Sequence, residues 1–86
     1  MTAFYNIVVK KSAEREMRGA PSADLGRIVE KLKGLAVLPR PHGCEKMAGT
    51  ELYRIRQGDW RILYSVDDPR RSIVIYKIGH RREIYR

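Results

Sequence analysis

Arginine recurs wherever the later part of this chain reads as strand. ELYRIR (51–56) carries Arg54 and Arg56, GDWRILYSVDD (58–68) carries Arg61, and IGHRREIYR (78–86) adds Arg81, Arg82 and Tyr85. Clustered guanidinium groups do one kind of chemistry well. Their planar forks bind a phosphate through paired hydrogen bonds, and they never lose their charge. Residues i and i+2 of a strand share a face, so Arg54 and Arg56 project together. Across a hairpin Arg61 can point to the same face, and Arg81 can enter from the end of the last strand. Four guanidiniums drawn together repel one another unless an anion occupies their centre. A lone arginine on a strand is ordinarily a solvated side chain. Convergence of several is what makes a phosphate site the sharper expectation.

The other reactive side chains have plainer readings. Trp60, Tyr64 and Tyr76 are expected to pack in the core or on a sheet face rather than to stack on bases. Lys10, Lys11, Lys31 and Lys33 are expected in solvent, where at most they steer a polyanion. His80 follows Gly79 and reads as a turn residue. Met47 and Leu52 are expected to fill a junction between loop and sheet. Cys44, His42 and His80 lack the paired spacing of a zinc site, and no metal or cofactor is expected. The single cysteine excludes an internal disulfide and suits a reducing cytoplasm. FYNIVV is too short for a signal peptide, and no run reaches the length of a membrane span.

Positioning these groups falls to a single domain, 1–86, with a net charge of +8. That charge favours an anionic partner, nucleic acid above all. Residues 3–9 read as a strand. Ser12 is placed to cap a short helix ending near Arg18, with Glu14 in its first turn and Gly19 and Pro21 breaking it. Ser22 is placed to cap a second helix, with Asp24 in its first turn. Leu25, Ile28, Leu32 and Leu35 make one apolar stripe on that helix, with Arg27, Lys31 and Lys33 towards solvent. Gly26 offers a point of close approach between helices. Residues 37–50 read as a loop. Tyr53 and Ile55 alternate with Arg54 and Arg56, and Gln57, Gly58 and Asp59 make a tight turn. Trp60, Ile62, Tyr64 and Val66 alternate with Arg61, Leu63 and Ser65. Residues 67–71 turn again, and a last strand, 72–78, ends at Gly79. The expected fold is α+β in the order β-α-α-β-β-β. Two helices cover one face of a mainly antiparallel sheet, and the arginines line the other, wetter face.

LYRIR, then GDWRILYSV, then a strand ending IGHRREIYR, on a chain of this size and charge, resembles the RelE branch of the RelE/ParE toxin superfamily. The resemblance covers most of the chain, including the first strand and the SAERE helix start. It implies a toxin of a type II toxin–antitoxin pair with a RelE-like microbial ribonuclease fold. It further implies a metal-independent endoribonuclease that cuts messenger RNA in the ribosomal A site, against 16S rRNA. In that reaction the 2′-hydroxyl attacks the adjacent phosphate. Carried over by motif, Arg54, Arg56, Arg61, Arg81 and Tyr85 are the expected catalytic set. Lys10, Lys11, Arg54, Arg56, His80 and Arg82 are expected to bind RNA. Well-known members of the branch carry lysines in the basic pair, where this chain has Arg54 and Arg56. Arginine keeps its proton, so that pair is expected to position and stabilise charge. The resemblance also implies a cognate antitoxin, acidic and partly disordered until bound. Two other readings stay open. One is a ParE-like inhibitor of DNA gyrase, and the other is a non-toxic relative that binds nucleic acid or antitoxin.

Overall fold

Strand hands over to helix without a linker at the start of the chain. In the computed structural model, which describes residues 4–80, β1 (Asn6–Val9) is followed at once by α1 (Lys11–Arg18). Lys10 still bonds the sheet through its N–H, at 3.0 Å from the Ile75 carbonyl, while it caps the helix. The helix therefore begins before Ser12, which lies inside its first turn and makes no cap. Gly19 closes α1, its N–H bonding the Arg15 and Glu16 carbonyls. α2 (Ser22–Val37) is likewise capped by a backbone, that of Pro21, and not by the Ser22 side chain. Ile28, Leu32 and Leu35 are the buried stripe of α2, and Leu25 at its outer end is only half-buried. Lys31, expected in solvent, is also half-buried. Gly26 faces open space, so the expected close approach of helices at that point is absent.

The sheet has five strands, with β2 at Glu45–Lys46, β3 at Tyr53–Gln57, β4 at Trp60–Asp67 and β5 at Ser72–His80, in the order β1-β5-β4-β3-β2. The last three form the expected antiparallel meander. β1 pairs parallel to β5 at the far side. The loop read over 37–50 holds a short strand, β2 (Glu45–Lys46), paired with β3. β5 runs through Gly79 to His80, past the point where the glycine was expected to end it.

One irregularity sets which side chains face inward. Leu63 pairs with Lys77, but Tyr64 pairs with Ile75, so Tyr76 is an extra residue on β5. Such a bulge switches the pleat. Ile73 and Ile75 before it and Ile78 after it all become fully buried, and Tyr76 is turned out. Together with Ala13, Ile28, Leu32, Leu35, Ile55, Ile62 and Tyr64 they make the core between helices and sheet.

β1 covers the edge of β5 only as far as Ile75, and α1 takes over beyond it. Glu16 accepts the Ile78 N–H at 3.3 Å and the Lys77 ammonium at 3.1 Å, closing an edge that would otherwise be open. Glu16→Ala is expected to cost about 1–2 kcal/mol, since it orphans a part-buried N–H. Glu16→Gln, which keeps an acceptor, is expected to cost less. Chemical denaturation of the two variants measures the difference.

At the opposite end of the strands a polar clamp holds the loop after α2. Arg40 bonds Asp68 at 2.9 Å and the Tyr53 hydroxyl at 3.0 Å, and Tyr5 donates to Asp68 at 2.5 Å. Arg40 first, and Tyr5 second, hold the Asp68 carboxyl below its ordinary value. A lowered carboxyl contributes stability above the unfolded pKa, and that stability is lost as pH falls through the folded one. Wild type is therefore expected to lose melting temperature more steeply than Asp68→Asn on acidification below about pH 4. The difference is small, because the side chain is half exposed.

Candidate nucleic-acid interface

Register decides which basic groups meet. Arg56, Arg61 and Gly79 are aligned across β3, β4 and β5, and Arg54, Leu63 and Lys77 form the neighbouring row. Both rows lie on the face opposite Ile55, Ile62 and Ile78, which the helices cover. The expectation that Arg54, Arg56 and Arg61 share the outer face holds. Gly58, with φ of +60°, opens the two-residue turn that brings β4 back beside β3.

The three arginines differ in their surroundings. Arg54 is held by Glu45 of β2, Nη2 to Oε2 at 3.0 Å. Arg56 is exposed and forms no ion pair with another described residue. Arg61 is only 7% exposed, the one buried charged residue among those described. Its Nη1 donates to the carbonyls of Gly58 and Trp60, each at 3.1 Å. Its Nε has no partner, alone among the buried side-chain polar atoms of the described residues. A buried N–H without an acceptor costs free energy, and so do like charges directly opposite on adjacent strands. Both penalties fall at one place, the Arg56–Arg61 pair. An oxyanion seated there relieves both.

The remaining expected residues are distributed more widely. Lys10 lies at the β5 side of the sheet, its ammonium 4.9 Å from the centre of the Tyr76 ring. Lys11 opens α1 and is exposed. His80 is not a turn residue. It ends β5 beside Trp60, ring centres 5.8 Å apart, on the helix side of the sheet and so away from the arginine rows. Arg81, Arg82 and Tyr85 lie outside the described residues. Lys77 was missed by sequence reasoning. It joins the row of Arg54 and is partly offset by Glu16. Counting back in twos from Gly79 finds it, once the bulge at Tyr76 is recognised. Among the described residues no three His, Cys, Asp or Glu side chains are grouped to hold a metal. No helix among them is long and apolar enough to cross a membrane.

Fold and face together define a small α+β protein whose sheet is sealed by helices on one side and carries a cationic, incompletely paired surface on the other. The chain belongs to the RelE branch of the RelE/ParE toxin superfamily: the family model for the ParE toxin of the type II toxin–antitoxin system, parDE, matches residues 7–85. It is 33% identical over 86 residues to toxin RelG of Mycobacterium tuberculosis, covering 95% of this chain and 97% of that one. The solved archaeal RelE–RelB complex from Pyrococcus horikoshii matches with a TM-score of 0.82 at 31% identity, covering 96% and 99%. The RelBE2 toxin–antitoxin complex of M. tuberculosis shares the fold, with a TM-score of 0.80 at 24% identity over 96% and 98%. The protein is thus a toxin of the type II class with the two-helix, mixed-sheet RelE fold.

Proposed function

We propose that this toxin is a ribosome-dependent, metal-independent endoribonuclease that acts in the cytoplasm on messenger RNA in the ribosomal A site, against 16S rRNA. The observation that carries the reading is the Arg56–Arg61 pair, with its buried and unpartnered Nε. The scissile phosphate sits on that pair. The 2′-oxygen bonds to phosphorus, the bond to the 5′-oxygen breaks, and the products are a 2′,3′-cyclic phosphate and a 5′-hydroxyl. Arg61 stabilises the charge that builds on the phosphoryl oxygens. Arg56 shares the scissile phosphate with Arg61, Arg54 and Lys77 hold the flanking backbone, and Lys10 and Lys11 steer the polyanion. Arg81 assists the leaving oxygen, and Tyr85 stacks on or orients a nucleotide. The 2′-hydroxyl passes its proton to solvent, since neither Arg54 nor Arg56 can give up its own to act as base, and the leaving 5′-oxygen takes a proton from solvent.

The antitoxin is an acidic chain that folds around the basic surface, in keeping with the RelB partners in the matching complexes. The test is induction in growing cells. Growth stops, and primer extension finds new 5′ ends inside translated messages. Full growth arrest with intact messages overturns the reading. A second reading is kept because the matching family model is described by ParE. A gyrase inhibitor leaves the transcript pool whole and gives relaxed or cleaved DNA.

A further inference from the structure

Behind the arginine row, the same end of the sheet forms a notch that the proposed chemistry leaves unused. Gln57, Trp60 and His80 are register partners across β3, β4 and β5, so they share the helix-side face at the hairpin end. The start of α2 roofs them. Asp24 accepts the Trp60 indole N–H at 3.2 Å, and Arg27 follows one turn later. With Asp59 these residues enclose about 220 Å³.

Two observations say what this space can take. The first is charge. Among the described residues the lining carries two carboxylates, of Asp24 and Asp59, and one guanidinium, of Arg27, in a chain of net charge +8. Phosphate is better placed on the other face, and a neutral group that donates hydrogen bonds is better placed here. The second is position. Arg61 Nη1 bonds the carbonyls of Gly58 and Trp60, and Gly58 and Trp60 also line the notch. Only the tip of the hairpin separates the two sites, so neighbouring parts of one nucleotide chain can occupy both.

Resting on the ribonuclease reading above, we propose that the notch holds one unpaired base of the RNA bound at Arg61, and that it selects a base carrying an exocyclic amine. The amine donates to the Asp24 carboxylate, which has oxygen lone pairs beyond the one given to Trp60. The Gln57 carboxamide offers a donor and an acceptor to the adjoining ring edge, the pairing that suits the N6 and N7 of adenine. The indole of Trp60 supplies an apolar wall for the ring. Uracil presents a carbonyl where the amine belongs. Two acceptors then face each other and neither is satisfied, which is how a hydrogen-bonding site rejects a near-isostere.

The chain has a single tryptophan, so the indole N–H gives one NMR signal at the wall of the notch. The full protein is titrated with 3′-AMP and 3′-UMP. The Trp60 signal is expected to report 3′-AMP binding at least about tenfold tighter than 3′-UMP. Asp24→Asn keeps an oxygen for the indole and adds a donor for the uracil carbonyl, so the ratio is expected to fall to near one. Equal responses in wild type, or none, overturn the notch, as does an unchanged ratio in Asp24→Asn. The two readings fail separately. A selective notch in a toxin that leaves messages intact overturns the ribonuclease alone. Message cleavage by a toxin whose indole does not discriminate overturns the notch alone.

Discussion

Replacing Arg61 with alanine is expected to lower message cleavage by about 10²- to 10³-fold, the cost of removing a preorganised donor from a developing oxyanion. The fold is expected to survive. The variant loses two hydrogen bonds to hairpin carbonyls and also loses an orphaned Nε–H. These effects oppose each other, so the net change in stability is expected within about 1 kcal/mol. Arg61→Lys tests the geometry. Lysine keeps the charge but lacks the planar fork, so one ammonium cannot bond both carbonyls and also present a pair of donors to phosphate. Its activity should stay close to that of the alanine variant. Arg56→Ala is the contrast. Its exposed guanidinium contacts backbone phosphate in this reading, so its loss should weaken RNA binding across sequences and reduce the salt slope by about one. Primer extension in cells, with thermal melts of the purified variants, separates these outcomes. Arg61→Ala that folds, arrests growth and produces the wild-type 5′ ends removes Arg61 from the mechanism.

Why Arg61 stands apart from Arg54 and Arg56 was not visible in the sequence. Period-two alternation assigned all three to one face, because the side-chain direction of a strand residue depends only on its own strand. The same local logic found Ile28, Leu32 and Leu35 on α2 and the inward residues of β4. It failed wherever a side chain's surroundings come from a distant segment. Glu45 partners Arg54 because β2 forms inside what reads as a loop, and two residues give too little pattern to announce a strand. Parallel pairing of β1 with β5 joins residues far apart in the chain, which no short window contains. The bulge at Tyr76 hides in an unbroken apolar run, and it is what places Lys77 outside and Ile78 inside. His80 was misread for a related reason. A glycine usually ends a strand, but here Gly79 lies in the ladder opposite Arg61. The shared face of Arg54, Arg56 and Arg61 was thus legible. Which cation is buried, and which is already neutralised, was not.

The second large effect concerns the residue that ties the sheet to the loop beneath it. Tyr64→Ala is expected to cost about 3–5 kcal/mol, the usual range for deleting a buried aromatic ring. Tyr64 is fully buried at the centre of β4, its ring stacks on Tyr53 at 5.8 Å, and its hydroxyl donates to the buried Pro39 carbonyl at 2.7 Å. A chain of this length starts from a modest margin, so a loss of that size leaves much of it unfolded at 37 °C. Tyr64→Phe divides the effect into ring and hydroxyl. The ring stays packed, and the Pro39 carbonyl loses its donor, at a cost of about 1–2 kcal/mol. Burial, and then the neighbouring Cys44, push the phenol above its ordinary pKa. The hydroxyl therefore remains a donor well into alkaline solution, and this contribution should not fade between pH 6 and 9. Urea denaturation at both pH values checks the two magnitudes. Function supplies the sharper check. Tyr64 points into the core and Arg61 points away from it, so Tyr64→Phe should cut messages as wild type does, per folded molecule. A phenylalanine variant that is stable but inactive would mean that the core face carries part of the chemistry assigned here to the arginine face.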